Sequence, residues 1–397
     1  MKKHFAAAAV AAAYLLSGCA SGNTFAPPAS GGFGPGDSAP SASSLRAAAL
    51  QRFIRPNSRK IVVKPGQSIQ AAVDKAKPGD TILVQPGTYH EKGRPCPFKW
   101  DEKCAVSITQ DNITLIGESG ASPVVLNNPN KLAVGIGTGK AYGCKSKNRI
   151  NGNYIAGFTV TGFLDSGIFL SCVTNWEWAF DAATNDKVYG FYPVFASNGR
   201  LDNSVAVGAG DTGFYVGISD HIRVDHNVAY DNVSGYEFEN TIDSLMEYNT
   251  AYNNTGGILE FIIPGDPLER SANNVIRYNV VTENNNANNC TGGVVCTVPP
   301  GTGILVIGGT NNKINNNKVT RHILYGIALT DVCTAFTLTT KQCKALKYNP
   351  LPEKTKFANN TALYNQYDLA WSPQSGRGNC WNGNRSKTTI PTKLPKC

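Results

Sequence analysis

Two methionines and five histidines in 397 residues are too few soft and imidazole ligands for a protein that handles copper. Eleven cysteines are present, but none stands in Cys-x-x-Cys spacing, so no zinc site is indicated. Charged residues reach only 16%, a balance that argues against a helical bundle. No basic stripe with interleaved aromatics points to nucleic acid. The apolar stretch Phe5 to Leu16 is too short to span a bilayer as a mature helix.

What the chain has instead is glycine, 40 residues of it, and a period. Asp211-Thr-Gly-Phe-Tyr-Val, Ser234-Gly-Tyr-Glu-Phe-Glu and Gly256-Gly-Ile-Leu-Glu-Phe repeat one plan. Their glycines, Gly213, Gly235 and Gly257, are 22 apart, and Gly190 and Gly167 precede them at steps of 23. Gly303 follows after 46 and Gly326 after 23 more. Short alternating runs at this spacing predict a solenoid with one strand-bearing coil per repeat and roughly eight coils.

The N-terminus carries Lys2 and Lys3, then the apolar stretch, then Leu16-Ser-Gly-Cys19. This resembles the lipobox of bacterial lipoproteins, which implies removal of residues 1–18 and a lipid on Cys19. Ala20 is not the aspartate that the family associates with inner-membrane retention, so an outer-membrane anchor is expected. Loss of Lys2 and Lys3 takes the formal charge from +9 to +7. Residues 19–58, rich in Gly, Pro, Ser and Ala, are expected to be a tether, with the folded domain over residues 59–397. Ten cysteines remain, an even number suited to an oxidising compartment. They fall into neighbouring pairs: Cys96 with Cys104, Cys144 with Cys172, Cys290 with Cys296, Cys333 with Cys343, and Cys380 with Cys397. Connectivity does not follow from spacing, but short loops make these pairings the simplest.

From Arg59 the order is a strand at Ile61-Val-Val, a turn, and a short helix over Ser68 to Ala76 with Ser68 at its N-cap. Pro78-Gly-Asp-Thr-Ile-Leu-Val-Gln-Pro-Gly-Thr-Tyr follows. This order resembles the N-terminal cap of the pectin-lyase-like superfamily. The resemblance implies an all-β, single-stranded right-handed parallel β-helix whose short helix plugs the open end. Asn227, Asn249, Asn279, Asn317 and Asn360 form one column, and Asn232, Asn254, Asn284 and Asn365 a second. Stacked asparagines at coil corners can hydrogen-bond amide to amide along the axis. Inserts are expected at Trp176 to Asp186, Pro264 to Asn274, Asn285 to Pro300 and Val332 to Pro352.

Period-2 alternation points Phe214, Tyr236, Ile258, Ile304 and Ile327 into the bore, with Val216, Phe238, Val306 and Leu329. Phe169, Tyr192, Tyr215, Glu237, Leu259, Leu305 and Ala328 then face outward. Glu260 falls on an inward position, which a bulge, a buried pair or a register change would each explain. The superfamily resemblance implies that a polysaccharide lies along the outer face of one sheet. Glu237, Glu239 and Asp211 are therefore the candidate catalytic residues, and Tyr215, Tyr192, His221 and Arg223 the candidate substrate contacts. The polyuronate-enzyme signatures are missing: neither Asn-Thr-Asp with Gly-His-Gly, nor Asp-Pro-His-Asp, nor a pectate-lyase calcium set is present. Two functions are carried forward. One is a lyase, hydrolase or epimerase acting on an acidic polysaccharide near the outer membrane. The other is a non-catalytic envelope protein that binds through the same face. No cofactor is indicated, though uronate-lyase chemistry would bring in calcium, and a monomer is expected.

Overall fold

The computed structural model describes residues 50, 52–54, 56–98, 102–118 and 123–397. The leader, Cys19 and the tether up to residue 49 lie outside the described residues. One coil shows the plan. Thr212–Gly217, Asp220–Asp225 and Val228–Tyr230 are three successive strands. The chain then returns as Ser234–Glu239, which pairs in parallel with the first strand and sets Tyr215 beside Glu237. Repetition builds three sheets of twelve, twelve and ten strands, here called sheets 1, 2 and 3 in the order of that coil. Among the described strands, the one antiparallel pairing is Arg94–Pro95 against Lys103 and Cys104. Twelve strands in sheet 2 exceed the eight coils expected. The early coils carry long connections that hide the 22–23 period.

The glycine column has a packing cause. A Cβ on Gly235 would lie 2.6 Å from the carbonyl oxygen of Gly257, and one on Gly190 would lie 2.7 Å from that of Gly213. The backbone of the next coil passes too close for any side chain. Behind it, all nine residues predicted to fill the bore are buried in one continuous core. Phe191 stacks on Phe214 at 4.7 Å and Phe214 on Tyr236 at 5.0 Å. Each such side chain contributes roughly 1.5–3 kcal/mol through burial. The helix Ile69–Lys75 closes the first coil, with Ile69 and Val73 in that core and the Ser68 hydroxyl accepting from the Ala71 amide.

Both asparagine columns form ladders. Asn227 donates to Asn249, Asn249 to Asn279, Asn279 to Asn317 and Asn317 to Asn360, at 3.0–3.1 Å. The second ladder runs Asn232, Asn254, Asn284, and there His322 fills the rung missing from the sequence column. Its Nε2 meets the Asn284 amide at 3.1 Å and its Nδ1 meets Asn365 Oδ1 at 2.9 Å. Burial pushes this imidazole down to about 4, so it is neutral and continues the amide pattern.

Two expectations are corrected, and the alternatives at Glu260 narrow. Trp176 to Asp186 is no insert: Val173–Ala179 and Ala182–Thr184 are ordinary strands, and Trp176 and Trp178 are buried in the bore. Packing also begins before residue 59, because Leu50 and Phe53 cover Leu83, Ile116, Ala156 and Ala179 outside sheet 2. Glu260 keeps register with Phe238 and Val306, which excludes a register change. It is a buried polar insertion in the bore, accepting from Ser271 Oγ at 2.9 Å and Asn274 Nδ2 at 3.0 Å. All five neighbouring cysteine pairs are disulfides, and Cys144–Cys172 ties adjacent coils.

Candidate functional site

The outward column of sheet 1 is Phe169, Tyr192, Tyr215, Glu237, Leu259 and Leu305, in the predicted register. Outward here does not mean solvated. Phe98 folds down on Phe169 at 4.8 Å and covers the face from the N-terminal side. From the other side Val295, Val298 and Val332 pack on Leu259, Phe261 and Ile307. These covering residues come from the segments pinned by Cys96–Cys104, Cys290–Cys296 and Cys333–Cys343. Glu237 and Glu239, expected on an open face, are 1% and 8% exposed as a result.

Between the two covers lies a cluster of tyrosines and carboxyls. Tyr192 packs against Tyr189 at 4.2 Å and against Tyr215 at 4.7 Å. The Tyr215 hydroxyl donates to Glu239 Oε1 at 2.5 Å. That diagonal reach is open because Gly217, beside Glu239 in the ladder, has no side chain in the path. Thr212 Oγ donates to Asp211 Oδ1 at 2.8 Å, and Gly293 of the covering segment sits against the other Asp211 oxygen. The hydroxyls of Thr212 and Ser234 lie near Glu237 and favour its charged form, yet its Oε1 is buried with no partner. Asp266 shares a hydrogen bond with Glu239 and is itself held by Asn240 Nδ2 at 3.1 Å.

Burial governs the proton affinities. It pushes Asp211 up to about 6 against the hydrogen bond from Thr212, with Asp165 adding like charge. It pushes Glu239 up to about 8, where Asp266 and Asp211 add to the effect and the Tyr215 hydroxyl opposes it. Glu237 is raised well above the carboxylate range by burial and then by Asp211. Tyr189, Tyr192 and Tyr215 are held as neutral phenols, again mainly by burial.

Two expected contacts fall elsewhere. His221 lies exposed on sheet 2, hydrogen-bonded to Asp220 at 2.7 Å. Arg223 pairs with Asp225 and Glu247 at 3.2 and 2.8 Å. Arg200, bidentate on Asp225, and Arg277, on Glu247, complete an ion-pair ladder outside that sheet. Asp266 and Tyr189 join the site although no pattern marked them. Asp266 lies in an insert, where no repeat position identifies it. Tyr189 opens its strand at the corner, where alternation does not yet apply. No group of three or more His, Cys, Asp or Glu among the described residues is arranged to hold a metal ion.

The family described as right handed beta helix region matches residues 166–343. The chain is a right-handed parallel β-helix. Similar solved structures share this architecture. One is the A-module of the Azotobacter vinelandii mannuronan C-5 epimerase AlgE4, at 17% identity and a TM-score of 0.57, covering 86% of this chain and 96% of that one. Another is the alginate lyase of Paenibacillus sp. FPU-7, at 17% identity and a TM-score of 0.51, covering 82% and 99%. A third is the pectate lyase Pel9A, at 15% identity and a TM-score of 0.51, covering 86% and 80%. No curated protein matches the sequence. Further along the same face, this β-helix has a cavity of about 340 Å³ lined mainly by apolar side chains, among them Phe261, Leu305, Ala328 and Phe336.

Proposed function

We propose that this β-helix binds a polysaccharide across the outer face of sheet 1 and cleaves it by acid–base chemistry at Asp211 and Glu239. One observation carries the reading. Two carboxyls in one cluster have affinities on either side of neutrality, about 6 for Asp211 and about 8 for Glu239. At pH 7 the first is an ionised base and the second a protonated acid, the division of labour that glycosidic cleavage needs. Glu237, with its orphaned Oε1, would accept a hydrogen bond from a sugar hydroxyl, and the tyrosines would pack on the sugar ring. Tyr192 and Tyr215 are the substrate contacts in this reading. That fold relatives are named as alginate and pectate enzymes supports a polysaccharide as the substrate class.

The full-length protein, incubated with pectate, alginate, hyaluronan, chitosan and neutral glycans, should release new reducing ends on at least one. Asp211→Asn and Glu239→Gln should each lower that rate by about 100-fold or more, the usual share of a general acid or base. Unchanged turnover in the double variant would refute the assignment. The 1% exposure of Glu237 favours a second reading, a binding face without chemistry. Retention on an immobilised glycan with no cleavage would be its signature. We also propose export, with the chain anchored through Cys19 to the outer membrane; five disulfides suit that oxidising compartment.

A further inference from the structure

The acidic-glycan preference expected from the superfamily conflicts with the charges of the site. Asp211, Glu237, Glu239 and Asp266 converge there, with Asp165 close enough to raise the proton affinity of Asp211. Among the described residues, no lysine, arginine or histidine forms an ion pair with Asp211, Glu237, Glu239 or Asp266. The arginines near the middle of the solenoid, Arg200, Arg223 and Arg277, are committed to the ladder on sheet 2. Lys145 and Lys147 line an adjoining cleft with Ile218 and Pro267, where Tyr142, which also contacts Tyr192, forms part of the wall, and neither lysine pairs with a carboxyl of the cluster. A bound carboxylate would meet like charge with no paired cation at the cluster itself, whereas an ammonium would meet carboxyl oxygens and aromatic faces.

Glu237 gives the second, independent indication. Its side chain is buried and Oε1 has no partner, although an unmade hydrogen bond on a buried carboxyl is costly. The column in which it sits runs directly into Tyr215 on one side and Leu259 on the other. Tyr215 gives its hydroxyl proton to Glu239 and Leu259 has none to give, so neither neighbour in the column satisfies Oε1. Half-buried Asp165, Tyr189 and Asp266 are the members of the cluster that reach solvent and mark the entrance.

Building on the polysaccharide reading above, we infer that the sugar unit held between Glu237, Asp211 and Tyr189 carries an ammonium group, so that the site takes an amino-substituted glycan. Titration calorimetry on the full-length protein tests this with four probes: fully deacetylated glucosamine oligomers, N-acetylated oligomers of equal length, oligouronates of equal length, and spermidine. The deacetylated oligomer should bind about tenfold or more tighter than the N-acetylated one, the scale of a close charge pair, and weaken as salt rises. Glu237→Gln and Asp266→Asn should each bring the ratio of the two glucosamine affinities toward one, and an unchanged ratio in both variants overturns the inference. An oligouronate that binds more tightly than the amino oligomer, or equal affinity for the two glucosamine forms, overturns the inference and leaves the polysaccharide reading standing. Spermidine binding without any oligosaccharide, or no binding at all, overturns both.

Discussion

Glu260 is a carboxyl in the middle of an apolar bore, and replacing it with glutamine isolates what that placement costs. Its Oε1 accepts from Ser271 and Asn274, while Oε2 is buried without a partner. Burial dominates and lifts the group from 4.5 to about 7, a difference of about 3 kcal/mol between its protonation states at ~1.36 kcal/mol per decade. The folded state therefore holds the proton more tightly than the unfolded chain does. The stability linked to this proton is fully present below about 4.5 and is lost as pH rises through about 7. Glutamine keeps the acceptor for Ser271 and Asn274 but has no charge to bury. Urea-unfolding midpoints followed by far-UV circular dichroism from pH 4 to 9 should show Glu260→Gln gaining about 3 kcal/mol on the wild type by pH 7.5 and holding it above. Slopes from other buried carboxyls cancel in the difference. A gap between the two proteins that stays constant with pH would refute the reasoning.

Other outcomes follow from the same contacts. Asn279→Ala removes a rung whose Oδ1 accepts from the Asn249 amide and side chain and whose Nδ2 bonds Met246 and Asn317. With several buried groups orphaned, a loss of about 3 kcal/mol or more is expected in chemical denaturation. Cleavage rate against pH should be bell-shaped, with limbs near about 6 and about 8 from Asp211 and Glu239, and Glu239→Gln should leave almost no activity to profile. Cys19→Ala should move the protein from the membrane to the soluble fraction on cell fractionation, and persistent membrane association would argue against lipid anchoring.

Much of the scaffold was legible because it is local. Alternation about Gly213, Gly235 and Gly257 assigned Phe214, Tyr236 and Ile258 to the bore, and the asparagine columns appeared as residue types at a fixed offset. His322 escaped because it satisfies the ladder with a different side chain. Trp176 and Trp178 were mistaken for an insert because bulky aromatics interrupt the small-residue rhythm while still packing inward. Of the proposed site, Asp211, Tyr192, Tyr215, Glu237 and Glu239 were visible as an outward row. Asp266 was not, since an insert has no register to place it. His221 and Arg223 formed a dense polar string that the corner before them carries onto another sheet.

Residue types and spacing alone determined that this chain stacks parallel coils, which side chains fill the bore, and where a helix caps the first coil. These follow from a backbone that alternates faces and from a carbonyl that passes too close for anything but glycine. Tertiary structure decided whether the outer row meets water. The disulfide-pinned segments fold back over sheet 1, bury Glu237 and Glu239 beside Tyr215, and leave those two carboxyls without an ion-pair partner among the described residues. Proton affinity and charge preference depend on that cover, which is built from residues far apart in the chain, so no local pattern could announce them.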